Sequence, residues 1–251
     1  MPSRRRTRGC SMTDENGWDN SAAAWIKSLG EHGDFGRRFV LDRPMIERVK
    51  ASGARNAVDV GCGEGRFCRI MKDLGLNAIG LDPTRSLLDA ARASDPDGVY
   101  VEGVGETLPF EDSRFDLVVS YLSLIDMPDI RAAIPEMARV LAPGGTLLVA
   151  NLTGFNTAGD ATRWHKDMFG RITHFGMDRY LEERETWEAW NGIRIKNHHR
   201  PLAIYMKLFL GLGLRLTFFD EPEPIETAPS ERAAHYRRAP HFLIMEWRKE
   251  A

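Results

Sequence analysis

From Asn56 to Asn151 short apolar runs alternate with amphipathic segments, and this alternation restricts the possible folds more than any other feature of the chain. The runs cover residues 57–60, 77–81, 99–101, 115–120 and 145–150. They are rich in Val, Ile and Leu and mostly apolar on both faces, as strands are when helices cover a parallel sheet from both sides. Between them, residues 66–74, 85–93 and 130–141 carry helical periodicity. Gly75 sits where a helix C-cap belongs, and Pro143-Gly144-Gly145 closes the third segment with a turn. Strand and helix in strict alternation give an open α/β sheet with right-handed crossovers. Residues 18–50 read as N-terminal helices, with Asp34 as an N-cap. A helix over 201–211 and strands over 214–219 and 241–247 complete the pattern. Residues 152–200 interrupt it; rich in aromatics, histidines and charges, they are expected to form an α-rich cap.

The sharpest local signal is Val58-Asp59-Val60-Gly61-Cys62-Gly63-Glu64-Gly65, where a buried strand turns into a helix. Glycines there let backbone approach a ligand, and the helix start offers free N–H groups. The spacing is not the G-x-G-x-x-G of a pyrophosphate cradle, because the third glycine, Gly65, comes one residue early. With Asp59 before it, the loop suits a ligand with an amino-acid tail. Asp82 ends the next strand, about 20 residues beyond the loop, where an acid accepts hydrogen bonds from ribose hydroxyls; as an alternative it caps the following helix, a role that Thr84 fills better.

These residues resemble the class I S-adenosylmethionine-dependent methyltransferases. The resemblance runs from residue 51 to 151 and includes Val58 to Gly65, Gly80-Leu81-Asp82, Glu106-Thr107-Leu108-Pro109-Phe110, Phe115 to Ser120, and Val140 to Thr146. It implies a Rossmann-like, seven-stranded, mostly parallel sheet whose last strand is antiparallel, with helices on both faces. It also implies S-adenosylmethionine as cofactor and S-adenosylhomocysteine as product. By the family pattern Asp59, Gly61 and Gly63 line the methionine part, with Cys62 and Gly65 in the same loop. Asp82 and Pro83 lie at the ribose, and Ser120 and Tyr121 border the sulfonium. One position departs: Val104 stands where the family often has an Asp near the adenine, so Gly105 and Glu106 are the expected adenine contacts. Arg37 and Arg38 are candidates for the cofactor carboxylate, because a guanidinium grips a carboxylate bidentately.

Methyl transfer requires alignment of an acceptor lone pair, exclusion of water and, for a hydroxyl or protonated amine, a base. His199, followed by Arg200 and Pro201, is the foremost acceptor-side candidate; His165 and Tyr121 follow. Trp187 and Trp190, read as helical, are assigned to the cap's own core. The acceptor is expected to be a small molecule methylated on O or N. A macromolecular acceptor and a non-catalytic nucleotide-binding module are the alternatives. Net charge is −2, from 34 Lys plus Arg against 36 Asp plus Glu, which disfavours nucleic acid. No run approaches the roughly 18 apolar residues of a membrane helix. The three cysteines, Cys10, Cys62 and Cys68, have no metal-ligand spacing, so no metal is expected and a reducing cytoplasm suits them. Residues 1–15 are expected to form a disordered leader before a single domain over 16–251; Met12 is an alternative start. The oligomeric state, monomer or homodimer, is left open.

Overall fold

The computed structural model describes residues 16–250, so the expected leader and Cys10 lie outside the described residues. Helix α1 (Trp18–Leu29) is followed by a π-helical turn (Arg37–Leu41) that runs on into α2 (Asp42–Ser52). Asp34 Oδ1 accepts the Arg37 N–H at 2.8 Å, so the expected cap is in place. Strand β1 (Asn56–Val60) leads to α3 (Arg66–Asp73), β2 (Asn77–Asp82), α4 (Arg85–Ser94), β3 (Val99–Glu102), β4 (Phe115–Tyr121), α5 (Ile130–Val140) and β5 (Leu141–Leu152). The turn expected at 143–145 falls where the β4–β5 register shifts, with Gly144 at φ +74°.

Beyond β5 come a helical turn α6 (Gly154–Thr157), then β6 (Gly159–Lys166), β7 (Ile172–Met177), β8 (Arg184–Trp190), β9 (Ile193–His199), α7 (Leu202–Gly211), β10 (Arg215–Asp220), α8 (Ser230–Arg238) and β11 (Phe242–Arg248). Seven strands form one sheet in the order β10-β11-β5-β4-β1-β2-β3. Only β11 runs antiparallel, against both β5 and β10. All seven expected strands are therefore in the sheet. Its two faces bury separate cores, one around Val118, Ile134 and Trp247, the other around Met45, Met71 and Leu148. Each fully buried large side chain contributes roughly 1.5–3 kcal/mol. Among the described residues no helix is long and apolar enough to cross a membrane.

The cap corrects the sequence reading. It is not α-rich but consists of two hairpins, β6–β7 and β8–β9. The second turns at Asn191-Gly192, both with positive φ (47° and 81°), the Asn-Gly pair that favours a two-residue hairpin turn. Trp187 and Trp190 therefore sit on a strand, three apart and on opposite faces. They are 44% and 38% exposed, not core: Trp187 carries the Arg194 guanidinium 3.9 Å from its ring centre, and Trp190 meets the edge of Trp25. This hairpin bridges two parts of the molecule. Its β9 strand bonds α1 through Ser21 and Arg194, and the loop after β4 through His198 N–H to Ile125 O. It thereby roofs the C-terminal edge of the sheet.

Candidate active site

A cleft of about 480 Å³ opens under that roof, at the carboxyl ends of β1, β2 and β4. Open α/β sheets bind ligands at this edge. The glycine bend forms its floor. Gly61 and Cys62 both donate to Leu81 O, at 2.7 and 3.0 Å, which pins the bend to β2. Gly61 has φ +83°, and a Cβ there would stand 2.3 Å from the Ser123 Cβ, so only glycine lets the loop after β4 come this close. Gly63 faces the cleft with nothing nearer to its missing Cβ than the Trp25 indole nitrogen, 4.0 Å away.

Asp82 holds the bend from the side. Its two oxygens accept the backbone N–H groups of Gly63 (2.9 Å) and Thr84 (2.8 Å). It thus makes the capping bond of the alternative reading while also lining the cleft; Thr84 makes no side-chain cap. Burial raises its pKa. Deeper in, Asp59 is 1% exposed, its Oδ1 has no partner, and its Oδ2 meets only the Cys68 thiol at 3.8 Å. Burial, and then the charge of Asp82, push Asp59 up to about 7.

Arg37, Cys62, Pro83, Gly105, Glu106 and Tyr121, all named from the sequence as candidates, also line the cleft. Arg37 is delivered by the π-helical turn and tied to Asp34 at 2.8 Å. The Tyr121 hydroxyl donates to Asp42. Glu106 accepts the N–H of Asp129 at 3.2 Å. Other expected residues are not brought to the cleft. Gly65 packs toward the Tyr100 ring. Ser120 is fully buried and bonds Ser123, and it is Ser123 that reaches the wall. Arg38 faces a second, open depression of about 620 Å³ on the outside of the molecule.

The histidine assignments need correction on the same ground. His199 is 1% exposed, with Nδ1 on the Thr157 hydroxyl (2.6 Å) and Nε2 on Tyr180 O (2.9 Å). Both nitrogens are committed to the cap, and burial lowers the pKa of the ring. His165 stacks on His174 and pairs with Asp160 at 2.7 Å, outside the cleft.

Among the residues that line the cleft, sequence reasoning missed Trp18, Trp25, Asp126 and Asn197. Asp126 lies in the loop beyond β4 and accepts the Asn197 amide at 2.5 Å. Burial pushes it up to about 8, with Asp82 adding to the shift while Asn197, Arg37 and Arg200 oppose it. Its position just past a strand tip was the available signal. Among the described residues no cluster of His, Cys, Asp and Glu could hold a metal ion.

Residues 58–149 match the family model of the methyltransferase domain. An S-adenosylmethionine-dependent methyltransferase from Mesorhizobium loti superposes with a TM-score of 0.70 at 27% identity, over 81% of this chain and 96% of that one. Residues 58–149 thus carry a methyltransferase domain, on the fold of the S-adenosylmethionine-dependent methyltransferases. A Listeria monocytogenes structure of the same fold reaches a TM-score of 0.72 at 22% identity, covering 82% of this chain and 96% of that one. Among curated proteins, an uncharacterized methyltransferase of Mycobacterium tuberculosis is 32% identical over 123 residues, 49% of each chain. A malonyl-[acyl-carrier protein] O-methyltransferase of Serratia marcescens is 30% identical over 156 residues, 60% of this chain and 61% of that one. The chain thus spans about half the length of the first and about three-fifths of the second. The methyltransferase cleft fits its cofactor on two counts: a buried, unpartnered Asp59 oxygen faces it, and Gly63 leaves the floor free of a side chain.

Proposed function

We propose that this chain transfers a methyl group from S-adenosylmethionine to an O or N atom of a small-molecule acceptor. The observation that carries the reading is the meeting of the Gly61–Gly63 bend with Asp59 and Asp82 at one cleft. Asp82 would hold the ribose, since its oxygens keep lone pairs beyond the two backbone bonds they accept. Asp59 would take the ammonium group, and Arg37 the carboxylate, of the methionine part. Gly61, Cys62 and Gly63 would pass beneath it, and Pro83, Gly105 and Glu106 would border the adenosine. When bound, the cofactor supplies an electrophilic methyl on a positively charged sulfur. The chain's part is to align the acceptor, shut out water under the β8–β9 roof and place a proton acceptor.

A small acceptor is supported by the enclosure of the cleft by Trp18, Trp25 and Trp190 and by the acidity of its walls, which repels a phosphate backbone. The buried free thiols Cys62 and Cys68 suit a cytoplasmic protein, and residues 16–250 are taken as one domain. Calorimetric titration tests the reading. S-adenosylmethionine and S-adenosylhomocysteine should bind and NAD should not; binding of NAD alone, or of none of the three, overturns it.

A further inference from the structure

The acceptor's half of the cleft is built around Asp126. Asn197 fixes its Oδ1, and no group among the described residues bonds its Oδ2, which is left to the cleft. The support is rigid. The buried Arg200 guanidinium donates to the carbonyls of Leu124, Met127 and Pro128, locking the loop on both sides of Asp126. Strand β9 reaches the same loop through His198 N–H to Ile125 O, which sets Asn197 beside the carboxyl. The same cleft is lined by Trp18 and Trp25, edge to face at 5.1 Å, with Trp190 edge-on to Trp25 at 6.5 Å. Such a wall suits an apolar or aromatic body and the flank of a cation.

The charge around the cleft gives the sign of the ligand. Its lining carries seven carboxylates and two guanidinium groups. Arg66 is paired with Asp42, and Arg37, tied to Asp34 through one nitrogen, is the group assigned above to the cofactor's carboxylate. Once the cofactor's carboxylate has taken Arg37, a second anion entering this half-enclosed space would find no unpaired cation among the lining residues. A cation would relieve the acids.

We infer that Asp126, positioned by Asn197 in the cleft that the tryptophans line, receives the ammonium group of a cationic acceptor with an apolar body and is the base that takes its proton. The inference rests on the methyl-transfer reading above and narrows it to amines. The step balances. The ammonium gives one proton to Asp126 Oδ2, leaving a neutral amine with its lone pair. That pair forms the new N–C bond while the donor's S–C bond breaks and its electrons stay on sulfur. The proton on Asp126 then leaves to water. An ordinary aspartate, near 4, is a poor partner for an alkylammonium near 10. Asp126, raised to about 8 by burial and by Asp82 against the pull of Asn197, Arg37 and Arg200, narrows that gap.

The test uses the full chain saturated with S-adenosylhomocysteine and three probes sharing one body: phenethylamine, phenethyl alcohol and hydrocinnamate. Calorimetry should show the amine binding about tenfold or more tighter than the other two, the usual range for a hydrogen-bonded charge. Its affinity should rise with pH up to about 8 as Asp126 ionises, before the amine itself loses charge. Asp126→Asn should lose the preference and the pH dependence while still binding S-adenosylhomocysteine. Asn197→Leu should weaken amine binding with S-adenosylhomocysteine affinity kept. The inference falls if the alcohol or the acid binds as well as the amine, if Asp126→Asn keeps the amine, or if a protein that binds S-adenosylhomocysteine ignores the amine. Failure to bind S-adenosylhomocysteine at all would instead sink the methyl-transfer reading.

Discussion

Replacing Asp59 with asparagine tests whether a carboxylate is buried in the cleft for a ligand rather than for the fold. Asp59 is pushed up to about 7, by burial first and by the Asp82 charge second, from near 4 in an unfolded chain. Between those values the folded protein keeps a proton that the unfolded chain has released. Stability must therefore fall as pH rises through this window, with no penalty below the unfolded value and the full penalty above the folded one. Three pKa units correspond to about 4 kcal/mol, which water in the adjoining cleft trims to about 2–4 kcal/mol. Asparagine cannot ionise, and its packing cost is the same at every pH. Urea unfolding of the ligand-free proteins between about pH 4.5 and about pH 8 should thus show the variant gaining about 2–4 kcal/mol on the wild type. A constant offset across that range, or a drift the other way, refutes the argument. Cofactor binding supplies the second arm. Wild-type affinity for S-adenosylhomocysteine should rise through about pH 7 with proton release, and the variant should bind about tenfold or more weakly with that dependence gone.

Asp82→Ala strips the acceptor from the Gly63 and Thr84 N–H groups and should cost about 1–3 kcal/mol of S-adenosylhomocysteine affinity; an unchanged Kd in calorimetry would remove Asp82 from the site. Gly61→Ala puts a Cβ 2.3 Å from Ser123 at φ +83°, so denaturant unfolding should show a loss of about 1–3 kcal/mol together with weaker cofactor binding, whereas an alanine variant as stable and as tight as wild type contradicts the described bend. His199→Gln should lower stability by about 1–2 kcal/mol and leave S-adenosylhomocysteine affinity within about twofold, since both ring nitrogens serve the cap; a large loss of kcat with melting unchanged would return His199 to the chemistry.

The centre of the sheet was legible because its inner strands are buried on both faces, so Val58, Val118 and Leu148 announce themselves by hydrophobicity alone. The glycine bend was legible because its spacing is local. The cap was not, because β6, β7 and β8 are largely exposed or half-buried. In β8 charged and aromatic side chains fall on both faces of a surface ribbon, so no period-2 pattern shows, and Trp187 and Trp190 mimic a helical step while lying on opposite faces. The Asn191-Gly192 pair gave the hairpin away, but a search for helices passes over it.

The proton acceptor was missed for a different reason, one that bears on how such sites are read. Histidine was favoured on residue type, because its ordinary pKa lies near neutrality. What decides the role is which polar atoms remain free once the fold has taken its share. The cap consumes both nitrogens of His199, through Thr157 and Tyr180, and burial lowers the ring's proton affinity further. The fold takes one oxygen of Asp126, through Asn197, and leaves the other to the cleft. Burial, which disarms the histidine, raises the aspartate toward the range of a useful base. The same desolvation thus acts with opposite consequence on an acid and on an imidazole, and in a half-enclosed acidic cleft it selects the carboxylate.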